Sequence, residues 1–219
     1  MKYYAFEYNA LNIRETGTQF QCTDIRKFGD IQNYSKLFDR FGRLKTYNFE
    51  LPEPIMESRA RPTTLLHVVA IRPFFLVIKD YFIDFLAQFD IGEYKNWPLK
   101  VYHKKSLISD YQLFITIHPK QAEYVDYLYT ESYIGKISDL YFVGESIKMK
   151  DYEDFLNIRD ELTKERRGYW IKFKRIVLDL SRAREDLFVM YNAPIGGWFA
   201  SERLKNAIEE KKIYRYGIP

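Results

Sequence analysis

The sequence holds one cysteine, three histidines and ten glycines, and each scarcity removes a class of chemistry. A lone Cys22 cannot build an intramolecular disulfide framework and supplies too few thiolates for a cysteine-based zinc site, which fits a reducing compartment and a cytoplasmic protein. It stands in Gln21-Cys22-Thr23-Asp24, which matches no nucleophile context, so it reads as a small apolar residue. His67, His103 and His118 lie far apart, with no carboxylate at the offset of His-Glu-x-x-His, so no metal is expected. The glycines include no G-x-G-x-x-G or G-x-x-x-x-G-K spacing, which removes the backbone cradles that hold phosphates. Gly196-Gly197 before Trp198 reads as a tight turn into a strand. No cofactor is implied.

Long hydrophobic runs are also missing. The longest, from Pro73 to Ile78, ends at Lys79-Asp80 and falls far short of the ~20 residues that cross a bilayer, so no membrane span is expected. The N-terminal Met1-Lys2-Tyr3-Tyr4-Ala5-Phe6 is interrupted by Glu7 and Asn9, which suits a strand rather than a secretion signal. The 34 basic and 30 acidic side chains leave a formal charge of +4, a mixed surface that allows nucleic-acid binding without implying it.

What the chain has in abundance is aromatic residues, 18% of the total with 19 Tyr and 17 Phe, which favours sheets and large rigid contacts. At 219 residues one domain is expected, with residues 1–64 a loop-rich N-terminal region and 65–219 the main body. The fold class expected is α+β, mostly antiparallel sheet with a few packed helices. Leu65 to Ile71 and Phe74 to Ile78 are β-rich runs broken at Pro73. Phe82, Phe85, Leu86 and Phe89 mark one face of a helix that Gly92 would end. Tyr111, Leu113, Ile115 and Ile117 alternate as in a half-buried strand, with Phe114 the apolar exception. Asp151 caps a helix that runs to Arg167 and stops at Gly168, and a strand follows from Tyr169 to Leu178. Leu187 to Met190 reads as another strand, then Trp198 to Ala200, then a helix capped by Ser201 with Leu204, Ala207 and Ile208 on its apolar face. A shift of 122 positions lays this last unit on the earlier one, Leu204, Ala207 and Ile208 falling on Phe82, Phe85 and Leu86, Ile213 on Ile91 and Tyr216 on Tyr94.

Lys164, Arg166, Arg167, Lys172, Lys174, Arg175, Arg182 and Arg184 form the densest basic segment, with Tyr169 and Trp170 available to stack on bases. The plainer reading is favoured: Arg166 and Arg167 suit the end of a helix dipole, and Lys172 and Lys174 the wet face of a strand. Carboxylate pairs such as Asp151 with Asp154, or Glu209 with Glu210, sit at helix ends or exposed faces, where solvation explains them.

The order of elements from Phe74 onward resembles the immunity-protein family of bacterial polymorphic toxin systems that is named after a Myxococcus immunity protein. The likeness covers residues 74–216 and rests on two strand–helix units. The terminal one is Trp198-Phe199-Ala200-Ser201-Glu202-Arg203-Leu204-Lys205-Asn206-Ala207-Ile208. The middle one is Val77-Ile78-Lys79-Asp80-Tyr81-Phe82-Ile83-Asp84-Phe85-Leu86, where Lys79 stands in place of the family's capping Ser and Asp80 is the substitute cap. Tyr111-Gln112-Leu113-Phe114-Ile115 and Val125-Asp126-Tyr127 are similar to what lies between the family's units. The resemblance implies a cytoplasmic, non-enzymatic protein that neutralises a cognate toxin by binding it, and it carries over no catalytic residue.

Trp97, Tyr133 and Trp198 are the candidate partner contacts, because Trp and Tyr are enriched at binding hot spots. Two other readings stay open. One is an enzyme or ligand-binding protein whose site gathers sequence-distant residues such as Cys22, His67 and His103; the other is nucleic-acid binding through Arg166, Arg167, Lys172 and Lys174. Oligomeric state leaves no mark in the sequence.

Overall fold

A computed structural model describes residues 1–6, 13–31, 33–39, 43–117, 121–138, 144–191, 193–194, 196–211 and 213. In chain order the elements are β1 (Tyr3–Phe6), α1 (Ile13–Thr16), β2 (Asp24–Lys27), α2 (Tyr34–Leu37), β3 (Glu53–Ile55), β4 (Leu76–Lys79), α3 (Asp80–Leu86), β5 (Glu93–His103) and β6 (Ser106–Ile117). A 3-10 turn at Gln121–Tyr124 precedes β7 (Glu131–Lys136), β8 (Glu145–Ile147), α4 (Tyr152–Glu165), β9 (Tyr169–Arg175), β10 (Leu187–Met190), β11 (Gly197–Ser201) and α5 (Glu202–Glu210). The chain is α+β, and the pairings between these strands are antiparallel except for β3 with β5. Among the described residues no helix is long and apolar enough to cross a membrane.

Where length alone suggests one domain, the chain is arranged as two compact units. Met1–Pro119, Arg184–Tyr191 and Gly196–Pro219 form the first, and Lys120–Ala183 with Asn192–Ile195 the second. The expected division after residue 64 is not a structural one. Phe6, Cys22, Ile31, Leu37, Phe38, Met56 and Ala60 are buried in the same core as β4, β6 and α3.

The first unit holds two sheets, ordered β1-β11-β10 and β2-β3-β5-β6-β4. β6 is the strand on which they meet. Tyr111, Leu113 and Ile115 are fully buried as the alternation predicts, but Phe114 is fully buried too, and Thr116 nearly so. The second face is covered because the Thr116 hydroxyl accepts from the Val189 amide of β10 at 3.1 Å and Phe114 packs on Trp198 of β11 with ring centroids 6.0 Å apart. A strand in a middle layer has no wet face, which is why its period fails at Phe114. Each such fully buried side chain contributes ~1.5–3 kcal/mol of apolar transfer.

Several local expectations change. The 65–71 run does not form a strand; it bridges Ile78 through Leu65 and Cys22 through Val68, and folds back at Arg72 to meet β4. α3 ends at Leu86, and Gly92, with a φ of 60°, opens β5 instead. β9 stops at Arg175, beyond which Leu178 only bridges Val125. His118 and Tyr216, and the strand positions proposed for Glu7 and Asn9, lie outside the described residues.

The second unit is the sheet β8-β7-β9 with α4 packed against β9. Asp151 caps α4 as its position predicts, its carboxylate accepting from the Asp154 amide at 2.9 Å. Gly168, at a φ of 90°, takes the left-handed conformation that turns the chain from helix into strand. Phe155 sits among Tyr127, Tyr152 and Phe173, with ring centroids 6.1–6.2 Å away.

Candidate functional site

The strand–cap–helix part of the repeated unit occurs twice in the first unit's backbone, and the strand that would close the second copy lies outside the described residues. β4 runs directly into α3 through Lys79, and β11 into α5 through Ser201, the position 122 residues on. The two cap residues have nearly the same dihedrals, −69° and 148° at Lys79 and −66° and 157° at Ser201. Phe82 and Leu86 are buried in α3, and Leu204 and Ile208 in α5. The chemistry at the caps differs. Ser201 Oγ accepts from the Leu204 amide at 3.1 Å and donates to Asp186 at 2.5 Å. Lys79 makes no side-chain cap, and neither does Asp80, whose carboxylate accepts from Gln112 at 2.7 Å. Lys79 instead reaches Asp110 at 2.6 Å across the ring of Tyr111.

Asp186 is almost wholly buried and accepts from Ser201, from the guanidinium of Arg203 and from the Asp90 amide. Burial pushes its pKa up, but the hydrogen bonds from Arg203, Ser201 and Asp90 outweigh that and hold the carboxyl below its ordinary value.

The residues proposed as partner contacts are mostly inside. Trp198 is buried, with its Nε1 donating to the Pro73 carbonyl at 3.0 Å. Tyr133 is buried on β7. Trp97 is half-buried against Phe49 and donates to the Tyr47 carbonyl at 2.9 Å. Large aromatic rings serve cores and interfaces equally well, and residue type alone does not separate the two.

Exposed apolar surface lies elsewhere, and the clearest case is on the second unit. Trp170 of β9 is half exposed and Ile137, just past β7, is 66% exposed. Trp170 pairs with Gly135, which offers no side chain to cover the indole. Ile137 lies two residues past Gly135, in the turn that leaves β7, with its amide donating to the Gly168 carbonyl at 2.8 Å. Around them stand the basic residues of the alternative reading. Arg166 stacks on Tyr169 at 5.4 Å and lies 3.9 Å from Glu145, while Lys174 and Arg175 reach Glu131 at 3.5 and 3.2 Å. Arg167 is exposed and Lys172 half-buried. Glu131 and Glu145 thus interrupt the basic segment that a phosphate backbone would follow.

Of Cys22, His67 and His103, the fold sets the first two side by side, the Cys22 amide donating to the His67 carbonyl at 3.0 Å. Cys22 is 1% exposed, and burial first, with Glu57 second, pushes its thiol up to about 12, so the thiolate that nucleophilic attack requires is absent at neutral pH. His103 lies at the end of β5 with Nε2 3.4 Å from the Ser58 carbonyl. Among the described residues no three His, Cys, Asp or Glu side chains gather as metal ligands do.

One cavity of about 370 Å³ opens within the first unit. Leu66, His67, Val69, Val77, Gly197 and Trp198 are among the residues that line it. His67, Gly196-Gly197 and Trp198 are features the sequence presents separately, and the fold brings them to one place. Comparison with protein-family models, with curated proteins and with solved structures yields no match to this chain.

Proposed function

We propose that this chain is a non-enzymatic immunity protein that neutralises a cognate toxin by binding it. The observation that carries the reading is the paired strand–cap–helix unit at 76–86 and 197–210, which adopts the same cap geometry twice and is the feature on which the resemblance rests. The exposed Trp170 and Ile137, flanked by the exposed cations Lys136 and Arg167, suit a partner with an apolar centre and an acidic rim.

The test is co-expression with the toxin domain encoded beside this chain. Growth arrested by the toxin is restored by the unmodified chain, and restored poorly by the double variant Trp170→Ala, Ile137→Asp. A toxin that kills equally well with and without the chain overturns the reading.

A further inference from the structure

The cavity in the first unit is lined mostly by apolar side chains, among them Phe6, Leu66, Val77 and Trp198. Among the described residues no Lys, Arg, Asp or Glu lines it. Several backbone groups of its walls are already paired. The Leu66 amide donates to the Val77 carbonyl at 2.8 Å, the His67 carbonyl accepts from Cys22 at 3.0 Å, and the Val69 amide donates to Cys22 at 3.0 Å. The Trp198 indole N–H is held by Pro73 at 3.0 Å. The walls are therefore fixed before any ligand arrives, and a charged ligand would lose its water without gaining a counter-charge.

Two further features shape the space. Gly197, in the lining, has a φ of 153°, which favours glycine, and a Cβ built there would meet nothing within 4 Å. Among the described residues His67 is the one titratable side chain in the lining, and burial lowers its pKa, favouring the neutral imidazole. A neutral imidazole offers one donor and one acceptor. The volume falls at the lower end of the ~300–1,000 Å³ typical of small-molecule sites.

We infer that this cavity is a binding site for a small, uncharged, largely apolar ligand with a flat ring system, seated against Trp198 and oriented by His67. This goes beyond the toxin-binding reading and does not depend on it, since the site lies in the first unit and the Trp170 face in the second. Val69, 54% exposed at the rim, is the residue through which the entrance can be closed without disturbing the core.

The test uses the full chain and two probes that differ by one charge. N-phenyl-1-naphthylamine is neutral, and 8-anilinonaphthalene-1-sulfonate is the same skeleton carrying a sulfonate. The neutral probe binds saturably at one site per chain, the sulfonate at least tenfold more weakly, and naphthalene displaces the neutral probe from the unmodified chain. Val69→Trp weakens the neutral probe at least tenfold with an unchanged thermal melt. Absence of saturable binding by the neutral probe overturns the inference. So does equal affinity for the sulfonate, or failure of naphthalene to compete, neither of which needs a variant to fold.

Discussion

The two strand–cap–helix units reach one backbone shape by different chemistry. In the terminal unit a buried Ser201 hydroxyl caps α5 and is itself held by the buried Asp186, so that helix start, strand β10 and the Asp90 segment share one polar network. In the middle unit nothing caps α3 from a side chain; Lys79 leaves the helix end and pairs with Asp110, which is half exposed. Apolar packing compensates. Phe82 and Phe85 stack with ring centroids 5.5 Å apart on α3, where α5 has Leu204 and the small Ala207 at the matching positions. The difference teaches that a helix entry can be specified by its polar cap or by the aromatic face that follows, and that the carboxylate on the neighbouring strand serves a fixed partner in one case and a screened ion pair in the other.

This comparison can be broken in a defined order. The largest effect is expected from Phe82→Ala, at about 3–5 kcal/mol of stability, because the ring is fully buried and its removal leaves a cavity. Leu204→Ala at the matching position should cost about 2–5 kcal/mol, and denaturant unfolding of both variants checks whether the middle unit depends more on packing. Asp186→Asn comes next, at about 1.5–3 kcal/mol, the range for hydrogen bonds to a charged group. Its pH dependence has a definite sign. A carboxyl whose folded pKa lies below its unfolded value contributes stability above the usual carboxylate range near pH 4, and that contribution is lost as pH falls through the lower folded value. The gap between the unmodified chain and Asp186→Asn should therefore close on acidification; a gap constant from pH 7 to pH 2 would mean that the carboxylate is not the source.

Smaller effects sharpen the contrast at the caps themselves. Ser201→Ala should cost about 1–2 kcal/mol, the upper part of the usual capping range because the hydroxyl also serves Asp186. Lys79→Ala should cost about 1 kcal/mol or less, since it removes an ion pair with a half-exposed partner and no cap. Equal losses at the two positions would show that the caps are equivalent after all. Separately, Cys22 should fail to react with a thiol reagent in the folded chain at neutral pH and react fully in denaturant.

The terminal unit was the more legible of the two. Ser201, Leu204 and Ile208 follow the cap and spacing rules closely, as do Asp151 and Gly168 around α4, because helix ends carry their signals in adjacent residues. β5 left little trace. It contains Pro98, and it tolerates that proline because β3 pairs with it only at Tyr102, leaving the edge beside Pro98 without a strand among the described residues. It joins β6 through Lys104 and Lys105, both at positive φ, in a turn where glycine or asparagine would be the usual sign. The cavity could not be read at all. His67 and Trp198 are 131 positions apart, and nothing local in either neighbourhood announces that β11 and the 65–71 segment face one another. Exposure of Trp170 was equally hidden, since it depends on Gly135 of the partner strand.

Titration of the purified chain with a toxin domain encoded by an adjacent gene, followed by calorimetry, tests the proposed binding most directly. A saturable complex is expected, weakened at least tenfold by Trp170→Ala with Ile137→Asp and unaffected by Val69→Trp. Absence of any heat and of co-elution on gel filtration would contradict it.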